Sequence, residues 1–149
     1  WEDQAFQDAM SSQGTLSARG GTDKTKFFTS ASWSNQEGIL IGNNFERLSG
    51  RLNLDQQLNE KINFGLNMSL SRTFTDQVSN DNAFSTPMQL VALAPITPIR
   101  DENGELNSTP VTTYYNGLID LEDAERSITS FRTLANAYAR YQIVKGLYL

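Results

Sequence analysis

The sequence predicts an all-β protein: an antiparallel sheet of about five strands, a segment of transmembrane β-barrel wall, with one long extracellular loop. Three observations predict it. First, the clearest period-two run, residues 62–73, sets Ile62, Phe64, Leu66, Met68 and Leu70 against Asn63, Gly65, Asn67, Ser69, Ser71 and Thr73. That polar face holds no charge, whereas soluble surfaces carry about 25–35% charged residues. Second, the 12 residues of this run at roughly 3.3 Å each give about 40 Å, and a tilt of ~45° leaves a rise of about 28 Å, near the hydrocarbon thickness. Third, Trp33, Phe74 and Phe131 fall on the outward face at one end of their strands, and Phe27 and Tyr141 near the other. Two aromatic belts are expected where strands cross both bilayer interfaces.

The elements follow in order. Residue 1 is Trp rather than Met, and Leu147-Tyr148-Leu149 reads as a strand just begun, so the chain reads as a piece of a longer protein. A short first strand is expected near 15–20. Gly20-Gly21-Thr22-Asp23-Lys24 is then a tight turn. The strand at 26–34 places Phe27, Thr29, Ala31 and Trp33 on one face. Residues 35–44 form a medium loop, with Gly38 and Gly42 supplying backbone freedom. The strand at 46–55 sets Leu48, Gly50, Leu52 and Leu54 against Ser49, Arg51, Asn53 and Asp55. Phe45 has the wrong parity for it and is expected in the loop or at a bulge. A short turn over 56–61 leads into 62–73, whose apolar face ends at Arg72. The last long strand, 127–144, sets Phe131, Ala135, Ala137, Ala139, Tyr141 and Ile143 against Arg132, Leu134, Asn136, Tyr138, Arg140 and Gln142. Lys145-Gly146 is another tight turn. Short turns at one sheet end and longer loops at the other are the rule in outer-membrane barrels.

Between the last two long strands lies an excursion over 75–126, too long for an ordinary connection. Phe84, Leu90, Leu93, Ile96, Tyr114 and Leu118 give it enough apolar content to order. Thr86 to Leu93 is expected to hold a helical turn or two, with Pro87 at its first position. Asp101-Glu102-Asn103-Gly104-Glu105 reads as a turn with Asn-Gly at its centre.

Composition excludes several classes of function. The chain has 149 residues, 12 Lys+Arg, 17 Asp+Glu, a formal charge of −5, and no Cys or His. Disulfide frameworks, Cys or His metal sites, Ser-His-Asp triads and Cys-His nucleophiles are therefore ruled out. The acidic balance argues against nucleic acid as a partner. No run approaches the apolar length of a membrane helix, which leaves membrane strands open. No cofactor is expected.

The candidate chemistry lies in the excursion. Asp101, Glu102 and Glu105, and then Asp120, Glu122, Asp123 and Glu125, are acidic clusters. A glycosidase pair needs a shaped cleft that spacing does not supply, so a solvated loop is the better reading. Asp101-x-Asn103-Gly104 starts as an EF-hand does but lacks its spacing. Asn80, Asp81 and Asn82 read as a hydrogen-bonded loop cap, with a cation site as the alternative. Phe84, Tyr114, Tyr115 and Asn116 combine aromatic and amide groups that stack on sugar rings and bond hydroxyls. The plainer reading is that they pack the loop into a small core of its own. Asn80, Asp81, Phe84, Tyr114, Tyr115 and Asn116 are the candidate substrate or partner loop; no catalytic or metal residue is assigned.

Certain runs resemble one family. Gly20-Gly21-Thr22-Asp23-Lys24-Thr25-Lys26 leads into an aromatic strand. Gln36-Glu37-Gly38-Ile39 precedes Ile41-Gly42, Phe45-Glu46-Arg47 and Leu52-Asn53-Leu54-Asp55. Ser79 to Pro87, Pro95-Ile96-Thr97-Pro98, and Thr113-Tyr114-Tyr115-Asn116 before Leu118-Ile119-Asp120 follow. Taken in this order, over nearly the whole chain, they resemble the SusC/RagA-like TonB-linked outer-membrane transporters of Bacteroidetes. The resemblance implies a barrel of about 22 strands with an N-terminal plug, of which this chain holds only an early-to-middle part of the wall. It implies uptake of glycan or peptide cargo with a SusD-like surface lipoprotein. It also implies energy coupling to the TonB complex through the N-terminal region missing here, and contact with outer-membrane lipid. Arg51, Arg132 and Arg140 would face the lumen and pair with plug acids. The rival readings are a soluble β-sandwich carbohydrate-binding module and, weaker still, a β-rich hydrolase.

Overall fold

The computed structural model describes residues 1–77, 88–111, 114–123 and 126–149. The sheet strands are β1 (Ser11–Gly21), β2 (Thr25–Glu37), β3 (Asn44–Gln57), β4 (Ile62–Asp76), β5 (Ser127–Val144) and β6 (Leu147–Tyr148). Around them lie helix α1 (Glu2–Ala5), a 3-10 helix at Met88–Ala92 and helix α2 (Leu118–Asp123). The six strands form one antiparallel sheet in chain order, β1 to β6, open at both edges. The sixth strand is the short C-terminal one, with Gln142 opposite Tyr148 and Val144 opposite Leu147. β1 is longer at both ends than the 15–20 that alternation marks. Phe45 lies inside β3 rather than in a loop, because β3 begins at Asn44. The helical turn expected from Thr86 is a 3-10 helix beginning at Met88; Pro87 lies outside the described residues.

Turn chemistry fixes the hairpins. At 22–24, the Thr22 hydroxyl accepts N–H bonds from Lys24 and Thr25. A Cβ on Gly21 would stand 2.2 Å from the Thr25 carbonyl oxygen, so only glycine fits there. At 58–61, the Asn59 side chain accepts from Lys61 N at 2.8 Å and Ile62 N at 2.9 Å. Gly146 takes the last turn at φ +89°.

Register follows from contacts between the long strands. Gln57 N donates to Lys24 O, Thr25 bonds Gln56, and Ser32 bonds Ser49 at 2.7 Å, all in one β2–β3 register. Leu58 N donates to Ile62 O across the β3–β4 turn. Gln142 N donates to Lys61 O, Tyr138 stands over Gly65, and Arg72 lies 6.0 Å from the Phe131 ring centre, again in one β4–β5 register. Alternation then puts Ser32, Ser49, Asp55, Gly65 and Tyr138 on one face and Ala31, Leu48, Leu70, Arg72 and Phe131 on the other.

The chain divides into two compact units. The first comprises Trp1–Ser11, Asn35–Phe45 and Phe74–Ile128; the second comprises Ser12–Ser34, Glu46–Thr73 and Thr129–Leu149. The first unit owns the buried apolar core: Ala5, Leu90 and Leu93, with Trp1, Tyr114, Leu118 and Leu121 packed on it. A bridge between Phe6 and Leu40 and the bond from Ile41 N to Ala5 O tie the N-terminal segment to the β2–β3 connection. In the second unit, among the described residues, no apolar side chain is buried. Leu48 is 53% exposed, Leu70 44% and Phe131 78%. Leu52, Leu54, Ile62, Phe64, Leu66 and Met68 are only partly buried, so this face keeps apolar surface uncovered.

Candidate functional site

Two surfaces carry functional groups: the polar face of the sheet in the second unit and the excursion in the first.

On the polar face, alternation places Arg19, Lys26, Arg47, Arg51, Arg132 and Arg140, with Asp55 as the one acid among the described strand residues. Hydroxyls and amides fill most of the remaining positions. The Tyr138 hydroxyl donates to Asp55 Oδ1 at 2.7 Å and spans Gly65, on the strand between them. Arg140 lies 5.7 Å from the Tyr148 ring centre. Charge is segregated by the fold: the first unit holds 13 Asp+Glu and 2 Lys+Arg, the second 4 and 10. The polar face is therefore cationic although the chain as a whole is acidic.

In the excursion, the turn at 101–105 is closed by Asp101. Its Oδ1 accepts N–H bonds from Asn103 at 2.8 Å and Glu105 at 3.1 Å, and Gly104 adopts φ +83°. Arg100 donates to the Gly104 carbonyl at 2.9 Å. The Asp101 carboxylate is thus engaged in backbone turn chemistry.

Tyr114, Tyr115 and Asn116 lie just before α2 and separate into different environments. Tyr114 packs against the Ala5–Leu90–Leu93 core. Asn116 is fully buried: its Nδ2 donates to Ile99 O at 3.2 Å, and its Oδ1 accepts from Leu118 N at 3.2 Å, capping the start of α2. Tyr115 is 46% exposed, and its hydroxyl donates to Asp120 Oδ2. Asn80, Asp81 and Phe84 lie outside the described residues. Sequence reasoning missed the pairing of Tyr115 with Asp120, since it read Asp120 only as part of an acidic run. It also passed over Arg72 as the end of an apolar face.

No family model matches the chain. Among curated proteins, TonB-dependent receptor P3 of Formosa agariphila is 27% identical over 157 residues, covering 99% of this chain. TonB-dependent receptor P26 of the same organism is 29% identical over 107 residues, covering 72%. Among solved structures, the RagAB peptide importer in its closed-closed state matches with a TM-score of 0.76 at 25% identity over 99% of this chain. The chain is SusC/RagA-like. It spans only 15% of the length of receptor P3 and 17% of that RagAB chain. A second RagAB structure, described as a peptide transporter, gives a TM-score of 0.71. The SusC/RagA-like segment is outer-membrane barrel wall. Its relatives are receptors and transporters.

Proposed function

We propose that this segment is part of a TonB-dependent importer that carries an oligomeric nutrient, glycan or peptide, across the outer membrane with a SusD-like surface lipoprotein. The observation that carries this reading is the sheet itself. One face is apolar and, among the described residues of the second unit, has no buried side chain, and the other is cationic and hydroxyl-rich, as a lipid-facing wall of an aqueous conduit requires. The matches to a peptide importer and to TonB-dependent receptors support it.

Within the excursion we assign the contact role to Tyr115, whose ring is exposed and held by Asp120. Tyr114 and Asn116 position it, one in the core and one as the helix cap. Asn80, Asp81 and Phe84 complete the contact loop in this reading. The test is Tyr115→Ala in the full-length protein, with binding of cargo and of lipoprotein measured separately. Affinity for one of them falls roughly fivefold, as expected for losing one contact aromatic. Unchanged affinity for both would leave Tyr115 with no contact role.

A further inference from the structure

The apolar face carries one feature that a lipid-facing wall does not need. By alternation, Arg72 is the only cation among the described residues of that face on β1–β5. It is exposed, and among the described residues its guanidinium lies 6.0 Å from the Phe131 ring centre. The strand registers put Trp33, Leu48, Arg72 and Phe131 in one row across β2 to β5, so the cation lies within an aromatic row rather than in a loop. Glu46 is one residue pair nearer the loop end, and no ion pair links the two. An isolated guanidinium beside hydrocarbon is costly unless it meets an anion.

Next to this row the surface is notched. Ala31, Gly50 and Thr133 are small, and with Leu48, Leu70 and Phe131 they line a groove of about 430 Å³ that reaches Arg72. A Cβ on Gly50 would meet nothing closer than 3.9 Å, so this glycine is not demanded by packing. A charged head beside an apolar channel is the complement of an amphiphile.

We infer that Arg72 and the groove beneath it hold a phosphate-bearing membrane lipid, with the head group on the guanidinium and an acyl chain in the notch. The inference rests on the membrane reading of the sheet. Arg suits the role because its fork bonds phosphate oxygens in pairs while its flat face stays on Phe131.

The test uses the full-length protein in mixed vesicles of phosphatidylcholine with a minor fraction of phosphatidylglycerol. Lipids retained after gentle detergent extraction are counted by native mass spectrometry. The wild type retains phosphatidylglycerol above its bulk fraction. Arg72→Gln lowers that enrichment roughly tenfold, the size of one charge-assisted hydrogen bond. Gly50→Leu fills the notch and lowers it while leaving the charge in place. Inorganic phosphate in excess does not displace the lipid. Equal enrichment in wild type and Arg72→Gln would overturn the inference. Displacement by inorganic phosphate would do the same, since the site would then take a soluble anion. A protein that fails to insert in any vesicle would instead refute the membrane reading.

Discussion

Gly65 shows how one residue can set a surface. A Cβ there would come within 2.2 Å of the Tyr138 ring, and the clash falls on the far end of a side chain that can swing. Gly65→Ala is therefore expected to push Tyr138 off Asp55 rather than unfold the strand. In the full-length protein it lowers the thermal midpoint in detergent, and the same change made on Tyr138→Ala has no further effect. Equal drops in both backgrounds would show that the glycine matters for its backbone alone. The residue pattern left this unread: alternation put Gly65 and Tyr138 on polar faces, but their meeting depends on a pairing across strands far apart in sequence. The Arg72–Phe131 contact was hidden for the same reason. The role of Asn103-Gly104 in its turn was legible, because turn geometry is local.

At the scale of the element, strand identity was legible and excursion structure was not. Period two is a property of consecutive residues, so each long run declared its own faces. The core of the first unit joins Ala5 to Leu90 and Leu93 across most of the chain, and no local pattern announces such a contact. The short helices α1 and α2 take their support from that core and from the Asn116 cap. Leu90 is fully buried, so Leu90→Ala is expected to cost about 2–5 kcal/mol of local stability. Hydrogen exchange should quicken in α2 and around the 3-10 helix while the amides of β3 and β4 hold their protection; uniform loss would contradict a separate core. The two faces of β4 make an opposite pair. Leu66→Arg should cost about 2–4 kcal/mol of refolding free energy into vesicles, whereas Asn67→Lys on the wet face should be nearly neutral. Similar costs for both would mean that the faces do not differ in environment.

For the whole molecule, length and charge speak together. β5 has 18 residues, about 59 Å at roughly 3.3 Å each, or about 42 Å of rise at a tilt of ~45°. The hydrocarbon is only about 30 Å thick, so this strand passes well beyond it. The net charge of −5 hides a division that only the fold reveals: acids gather in the unit of loops and cations in the unit of strands. The overall acidity read from composition therefore says little about the wall itself.

In the proposed arrangement, one side of the long strands faces acyl chains and the other faces water. Nitroxide labels at Leu66, Met68 and Asn67 of the full-length protein in vesicles test it most directly, through collision with oxygen and with a water-soluble nickel chelate. Relaxation is expected to be oxygen-dominated at positions 66 and 68 and nickel-dominated at 67. Labels at 66 and 68 shielded from both reagents would reveal a second protein layer over the apolar face and contradict it.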